Sequence, residues 1–398
     1  MADAHAQGVR RPAIDQRAVG FAIEGGEGSS WPAGPDLVAP QLPSRPPTPV
    51  ATPAPVTTPA PAAPPPAPAT PAPTPAPTAR AGIPAGSVAV GQILISRDRL
   101  MSLPTSGAAW QAMVAEANAL GSVNLADQDD PDDVRLLAKA LVAVRTGGDL
   151  RPVYDALARV PGTEDGGRTL ALGRNLAAVV LAADLVGYRD AGFASWLRGV
   201  LRENLDGASL VETNELRPNN WGTHAGASRV AADLYLGDGA DLARAAAVFR
   251  GYLGERSAYA GFAYGELDWQ ANPNAPVGIN PRGATKDGHS IDGVLPDDQR
   301  RAGGFSWPPP RENYVYEGLQ GALLQAELLA RAGYPAYQWG DSALARAYAW
   351  LHNVAGFPAE GDDVWQPHLV NARYGTGYPA SVPSRIGKNF GFTDWLYR

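Results

Sequence analysis

The chain has 398 residues, no cysteine and a formal net charge of −7. Disulfides, thiolate nucleophiles and cysteine-ligated metals are therefore excluded, and a general nucleic-acid binder, which takes a basic surface, is disfavoured. Net acidity leaves an anionic substrate open, because a local arginine cluster can dominate the field inside a cleft.

Residues 1–38 are mixed in composition and show no period, which leaves a small accessory element or a disordered tail open and favours the tail. No apolar core of a signal peptide is visible near the start of the chain. Residues 39–86 are dominated by Pro, Ala and Thr. Such a tract buries little and cannot donate regular hydrogen bonds, so an extended, semi-stiff polyproline II linker is predicted. It has few charges to fix a docking register, which favours a spacer over a ligand for a proline-recognition module. Linkers of this kind often tether secreted enzymes, so a secreted or periplasmic location is the expectation. No run has the length and purity of a membrane span; the most apolar stretch, 170–186, carries Arg174, Asn175 and Asp184.

The folded domain is expected over 87–398, opening on a strand-like run at 88–95. From there the punctuation is helical. Pro104-Thr105-Ser106-Gly107 precedes an amphipathic run over 108–120. Pro131-Asp132-Asp133 opens a second, with Pro in the first turn and acids favoured by the helix dipole, and this run ends at Gly147-Gly148. Further helices are expected over 150–160, 169–186, 192–203, 221–236, 241–253, 314–332 and 342–354. Several are apolar nearly all round and should be buried on more than one side; others have one polar face. Alternating inner and outer helices predict an all-α domain, either a toroid of stacked helical hairpins or an irregular solenoid. No fixed-period repeat is evident, which counts against the ordinary repeat families. Residues 257–310 stand apart. They are rich in Gly, Pro, Asn and Asp, and a loop this long is either functional or disordered. Tyr259, Phe262, Tyr264, Trp269, Phe305 and Trp307 argue against disorder, so the segment reads as a folded flap across a cleft.

Chemistry-bearing residues are sparse. His5, His224, His289, His352 and His368 have no metal-ligand spacing, and no nucleophile-elbow, Walker or dinucleotide motif follows a strand, so no metal site is expected. The densest constellation is Pro218-Asn219-Asn220-Trp221-Gly222-Thr223-His224. Pro218 cannot enter the helix and one asparagine caps it, but a cap needs neither the second Asn, the Trp nor the His. His224 lies one turn beyond Asn220 on the same face; the competing reading is a satisfied core histidine. His289 sits in a polar turn-rich stretch where no core needs an imidazole, against the plainer reading of an exposed turn residue. Arg300 and Arg301 follow Pro296-Asp297-Asp298-Gln299 and are either ion-paired to those aspartates or a carboxylate clamp. Asn313-Tyr314-Val315-Tyr316-Glu317 opens the next helix. Residues two apart diverge, so Tyr314 and Tyr316 cannot face one point, and at least one should pack under the flap. A phenol near a helix N-terminus and near arginines has its ionised form favoured, which suits proton transfer. Arg174 and Asn175, inside an apolar helix, need partners or a polar cleft; an internal ion pair with Asp184 or another helix is the competing account.

Leu103-Pro104-Thr105-Ser106-Gly107-Ala108-Ala109-Trp110, Leu172-Gly173-Arg174-Asn175-Leu176, Asn219-Asn220-Trp221-Gly222-Thr223-His224-Ala225-Gly226 and Asn313-Tyr314 through Glu317-Gly318-Leu319-Gln320-Gly321 resemble, in that order, the alginate-lyase-like superfamily of polysaccharide lyases. The branch they most resemble is that of the glucuronan and cellouronate lyases, polysaccharide lyase family 38. The resemblance runs from about Ile93 to the end of the chain. It implies an incomplete (α/α) toroid with a cleft for an acidic polysaccharide, and β-elimination with no cofactor. In the related alginate lyases Asn is followed directly by His. Here Asn220 is followed by Trp221, a departure that favours a tyrosine as base, acid or both, with histidines holding the substrate carboxylate.

On this reading Tyr314 carries the proton transfers, with Tyr316 as the fallback. Asn219, Asn220, His224, His289 and Arg301 bind and neutralise the uronate, Arg300, Arg174 and Asn175 support binding, and Trp221, Trp269 and Trp307 stack on sugar rings. Two rivals remain open at this stage. An (α/α)-barrel glycoside hydrolase would need a carboxylate pair from Glu215, Glu266, Asp268 and Asp292, none of which stands in a compelling pair. A tethered, non-catalytic carbohydrate-binding protein would need only stacking aromatics.

Overall fold

The computed structural model describes residues 88–398. The tail and linker expected over 1–38 and 39–86 lie outside the described residues. Within the described residues the fold is all-α. In chain order the helices are α1 (Arg97–Ser102), α2 (Ala108–Asn118), α3 (Asp132–Thr146), α4 (Arg151–Leu157), α5 (Thr169–Leu185), α6 (Ala191–Val200), α7 (Leu210–Leu216), α8 (Asn220–Leu236), α9 (Gly239–Tyr252), α10 (Pro296–Gln299), α11 (Tyr314–Arg331), α12 (Trp339–Asn353), α13 (Gln366–Tyr374) and α14 (Thr393–Leu396). A small hairpin, β1 (Thr285–Lys286) with β2 (His289–Ser290), pairs Lys286 with His289.

Local chemistry sets these boundaries. Asp190 caps α6 by accepting from the Phe193 N–H, and Ser209 with Glu212 forms a reciprocal capping box on α7. Gly147 and Gly237 end α3 and α8 in the left-handed conformation that glycine adopts at least cost. The short helices α1, α7, α10, α13 and α14 were not expected, because so few residues carry too little period to read.

The strand expected at 88–95 is absent. Ile93, Leu94 and Ile95 are buried, but the Gly91 and Ile93 N–H groups donate to the two carboxylate oxygens of Asp184, each at 3.0 Å. A carboxylate at the end of α5 thus takes the place of a neighbouring strand. α12 also opens irregularly: Gly340, Asp341 and Ser342 have φ of 59°, 57° and 54° before the right-handed helix resumes, and Arg346 holds this turn by donating to the Gly340 and Asp341 carbonyls.

α8 sits at the centre. It packs against α5, α11, α7 and α9, while α5 packs on α3 and α3 on α2. Two glycines allow the closest approaches. A Cβ on Gly173 of α5 would lie 3.0 Å from the Ala225 nitrogen, and one on Gly321 of α11 would strike the backbone of Thr223 and His224. The Ser228 hydroxyl of α8 also enters α5. It donates to the Gly173 carbonyl at 2.8 Å and accepts from the Ala177 N–H at 3.0 Å, the two groups that an uninterrupted helix would join.

Residues 257–310 fold around their own aromatic and amide centre. Trp269 is fully buried against Phe305 and Trp350, and Asn280 links the Trp269 carbonyl to the Ala271 N–H. Among the described residues no helix is long and apolar enough to cross a membrane.

Candidate functional site

Three segments far apart in sequence meet at the start of α8. The Asn219 side chain caps the helix by accepting from the Trp221 N–H at 3.1 Å, and its amide donates to Asp297 at 2.8 Å. The Asn220 N–H donates to Asp298 at 3.0 Å. These two aspartates lie on α10, immediately before Arg300 and Arg301. Asp298 is fully buried, and burial pushes its carboxyl well above the usual carboxylate range despite the Asn220 N–H bond and the nearby Arg301 charge. Its second oxygen has no hydrogen-bond partner and lies where a Cβ on Gly318 of α11 would collide with it. Asp298 is thus a wedge between the openings of α8 and α11.

At the rim of that wedge the Arg301 guanidinium lies over the Tyr314 ring, 3.7 Å from its centroid. Both residues are exposed. The Tyr314 N–H, an orphan donor at the start of α11, is taken by Glu312 at 3.0 Å. Burial raises the Glu312 carboxyl, and the Tyr314 N–H and Arg301 oppose it. A phenol, a guanidinium and a half-buried carboxyl therefore share one solvent-facing patch.

One turn further along α11, Glu317 meets Arg174 at 3.2 Å and the Nε2 of His224 at 3.5 Å. The second distance is long for a hydrogen bond. Burial alone would raise the Glu317 carboxyl, but His224, Arg174 and Lys388 outweigh it and hold it below the usual range. The other His224 nitrogen, Nδ1, is in hydrogen-bond contact with the Asn389 side-chain oxygen. Asn389 in turn donates to the Gly173 carbonyl at 2.7 Å, completing a bridge between α5, α8 and the C-terminal segment. Beyond it, burial pushes the Asp133 carboxyl up to about 8 against the pull of Lys388.

Several expected binding residues take other places. Trp269 is fully buried and donates its indole N–H to the Gly303 carbonyl, so it has no face for a sugar. Tyr316 is also fully buried; its hydroxyl donates to the Phe357 carbonyl at 2.6 Å, and burial raises its phenol, so it has neither the access nor the ionisation that a fallback base needs. His224 has no exposed surface and meets Asn389 and Glu317 rather than solvent. Asn220 is 1% exposed and works through its backbone N–H. Asn175 is buried and donates to the Asp127 carbonyl at 2.7 Å. Arg174 forms the internal ion pair, with Glu317 rather than Asp184. Arg300 is tied to Asp297 at 2.8 Å and to Glu266. Trp221 is half-buried with Arg217 on its ring at 4.2 Å and Arg168 at 4.8 Å, so the guanidiniums occupy the indole that a sugar would need. His289 stacks on Trp307 with centroids 4.2 Å apart and planes 8° from parallel, and Trp307 keeps an exposed surface.

Glu312, Glu317, Lys388 and Asn389 are the polar members that sequence reasoning gave no role, and Asp298 entered it only as an ion-pair partner for the arginines. Glu317 had a signal, since it lies one turn beyond Tyr314 on the same helical face. Asn389 had none. Among the described residues no group of three or more histidine, aspartate or glutamate side chains is placed to hold a metal ion. The carboxylates that a hydrolase would need are mostly ion-paired: Glu215 with Arg229 and Arg244, Glu266 with Arg300, and Asp292 with Arg346. Comparison with protein-family models, with curated proteins and with solved structures finds no match to this chain.

Proposed function

We propose that the protein is a polysaccharide lyase that cleaves a 1,4-linked polyuronate of the glucuronan or alginate type by β-elimination, on a domain built as an incomplete (α/α) toroid. The observation that carries the reading is the exposed Arg301–Tyr314 pair at the start of α11, joined through Asp297 and Asp298 to the Asn219–Asn220 mouth of α8.

The C5 hydrogen of a uronate lies next to a carboxylate, so its removal builds charge on a group already charged. That charge must be neutralised first, and fixed donors do this at least cost in reorganisation. Arg301 supplies the neutralising cation, and His289, held against Trp307, supplies a second polar contact. Tyr314 then takes the C5 proton. The released electron pair forms the C4–C5 double bond, the C4–O4 bond breaks, and O4 leaves with a proton delivered by the same phenol or by water. Asn219 and Asn220 serve by fixing the aspartates that set Arg300 and Arg301. His224, Glu317 and Arg174 brace α11 from behind. The exposed face of Trp307 is the stacking surface for a neighbouring sugar ring.

Elimination leaves a conjugated double bond that absorbs ultraviolet light. The purified protein should raise ultraviolet absorbance on at least one of polyglucuronate, polymannuronate and polyguluronate. New reducing ends without absorbance would indicate hydrolysis, and binding without chain shortening would leave a carbohydrate-binding protein.

A further inference from the structure

At the far end of α11 from Tyr314 lies a cavity of about 310 Å³, lined by Arg99, Arg331, Arg373, Arg398 and Glu327 among others. At ~1.5 Å of rise per residue, Arg331 is about 25 Å along the helix from Tyr314, so the two places are separate. The volume is at the small end of ligand-binding clefts, which run to roughly 300–1,000 Å³.

The charge of this cavity opposes that of the molecule. The chain carries a formal net charge of −7, yet four arginine side chains and one acidic side chain, Glu327, line this cavity. That carboxylate is already engaged. Glu327 is buried, with Arg373 on both of its oxygens and the Tyr337 hydroxyl donating at 2.8 Å. Arg331 and Arg99 have their polar contacts with main-chain oxygens. Arg331 donates to the Gln92 carbonyl at 3.0 Å and keeps a buried Nε with no hydrogen-bond partner, and Arg99 donates to the main-chain oxygen of Arg398 at 2.9 Å. Like charges gathered around a hollow, with an orphaned buried donor among them, raise the energy of the folded chain unless an anion completes the set.

We infer that this cavity is a binding site for a compact oxyanion, the phosphate or carboxylate group of a small molecule, distinct from the polyuronate site. Guanidinium forks match both groups through paired N–H donors. Arg373, locked by Glu327, forms the rigid wall; Arg99, Arg331 and Arg398 supply the free donors.

The test is calorimetric titration of the whole protein, at low salt, with inorganic phosphate and separately with free glucuronate. Saturable binding of either is expected, and whichever binds identifies the source of the group. Arg331→Gln and Arg398→Gln should each weaken it by about tenfold or more, as loss of a charge-assisted hydrogen bond does. Arg301→Ala should leave phosphate binding unchanged, and neither cavity substitution should alter lyase activity. Arg398 is exposed, so its variant carries the test if Arg331→Gln does not fold. No heat up to about 10 mM of either anion, or binding indifferent to both cavity substitutions, overturns the assignment.

Discussion

The Arg301 guanidinium carbon lies 3.7 Å from the centre of the Tyr314 ring, with both side chains open to solvent. The contact uses the ring face and leaves the hydroxyl at its edge for other work. Tyr314→Phe therefore keeps the stack and removes only the proton carrier. The expected result is a fall in kcat of about 10²–10⁴ with oligomer binding and melting temperature nearly unchanged. Near-normal turnover would remove Tyr314 from the chemistry.

Arg301 should behave differently. Arg301→Ala is expected to lower kcat/KM and to raise KM, because substrate charge loses its counterion; Arg301→Lys should recover part of both, since it keeps the charge but not the planar face. Steady-state kinetics at two ionic strengths will check this. The wild-type KM should rise with salt, and the salt dependence should shrink in the alanine variant.

Much of the helical framework was legible. The Pro, Asp and Gly punctuation located α3, and the Pro218-Asn219-Asn220 stretch located the start and the cap of α8. The partners of the site residues were not legible. His224 was placed on one face with Asn220, but its neighbours Glu317 and Asn389 lie 93 and 165 residues away, and no local pattern fixes such a meeting. Trp221 was read as a sugar platform because a helix cap does not need an indole. Arg217 and Arg168 fill its ring, one four residues before it and one from before α5. The 88–95 run failed as a strand because a single side chain, Asp184, meets its amides.

Asp133 makes stability depend on pH. Its carboxyl ordinarily titrates near 3.8 and is pushed up to about 8 by burial, with Lys388 opposing. A carboxyl raised in the folded state holds its proton more tightly there. Its contribution is fully present below the unfolded value and is lost as pH rises to about 8. Denaturant midpoints should fall between about pH 4 and pH 8, and Asp133→Asn should flatten that slope. An identical slope in the variant would exclude Asp133 as its source.

The contact between α8 and α11 has a sharper mechanical test. A methyl group on Gly321 would drive into the Thr223 and His224 backbone, while Gly377 faces open space. Gly321→Ala should cost roughly 1–3 kcal/mol or more, against less than about 0.5 kcal/mol for Gly377→Ala, measured by chemical denaturation. Equal effects would mean that α11 shifts freely.

Ser228 lends its hydroxyl to the ladder of α5, so the Ala177 amide hangs from a different helix. That amide cannot exchange its hydrogen with solvent unless α5 and α8 separate, and their opening is one cooperative event rather than two. Arg174 and His224, one on each helix, are thereby carried on a single stiff plate, and slow deuterium uptake at Ala177 reports when that plate comes apart.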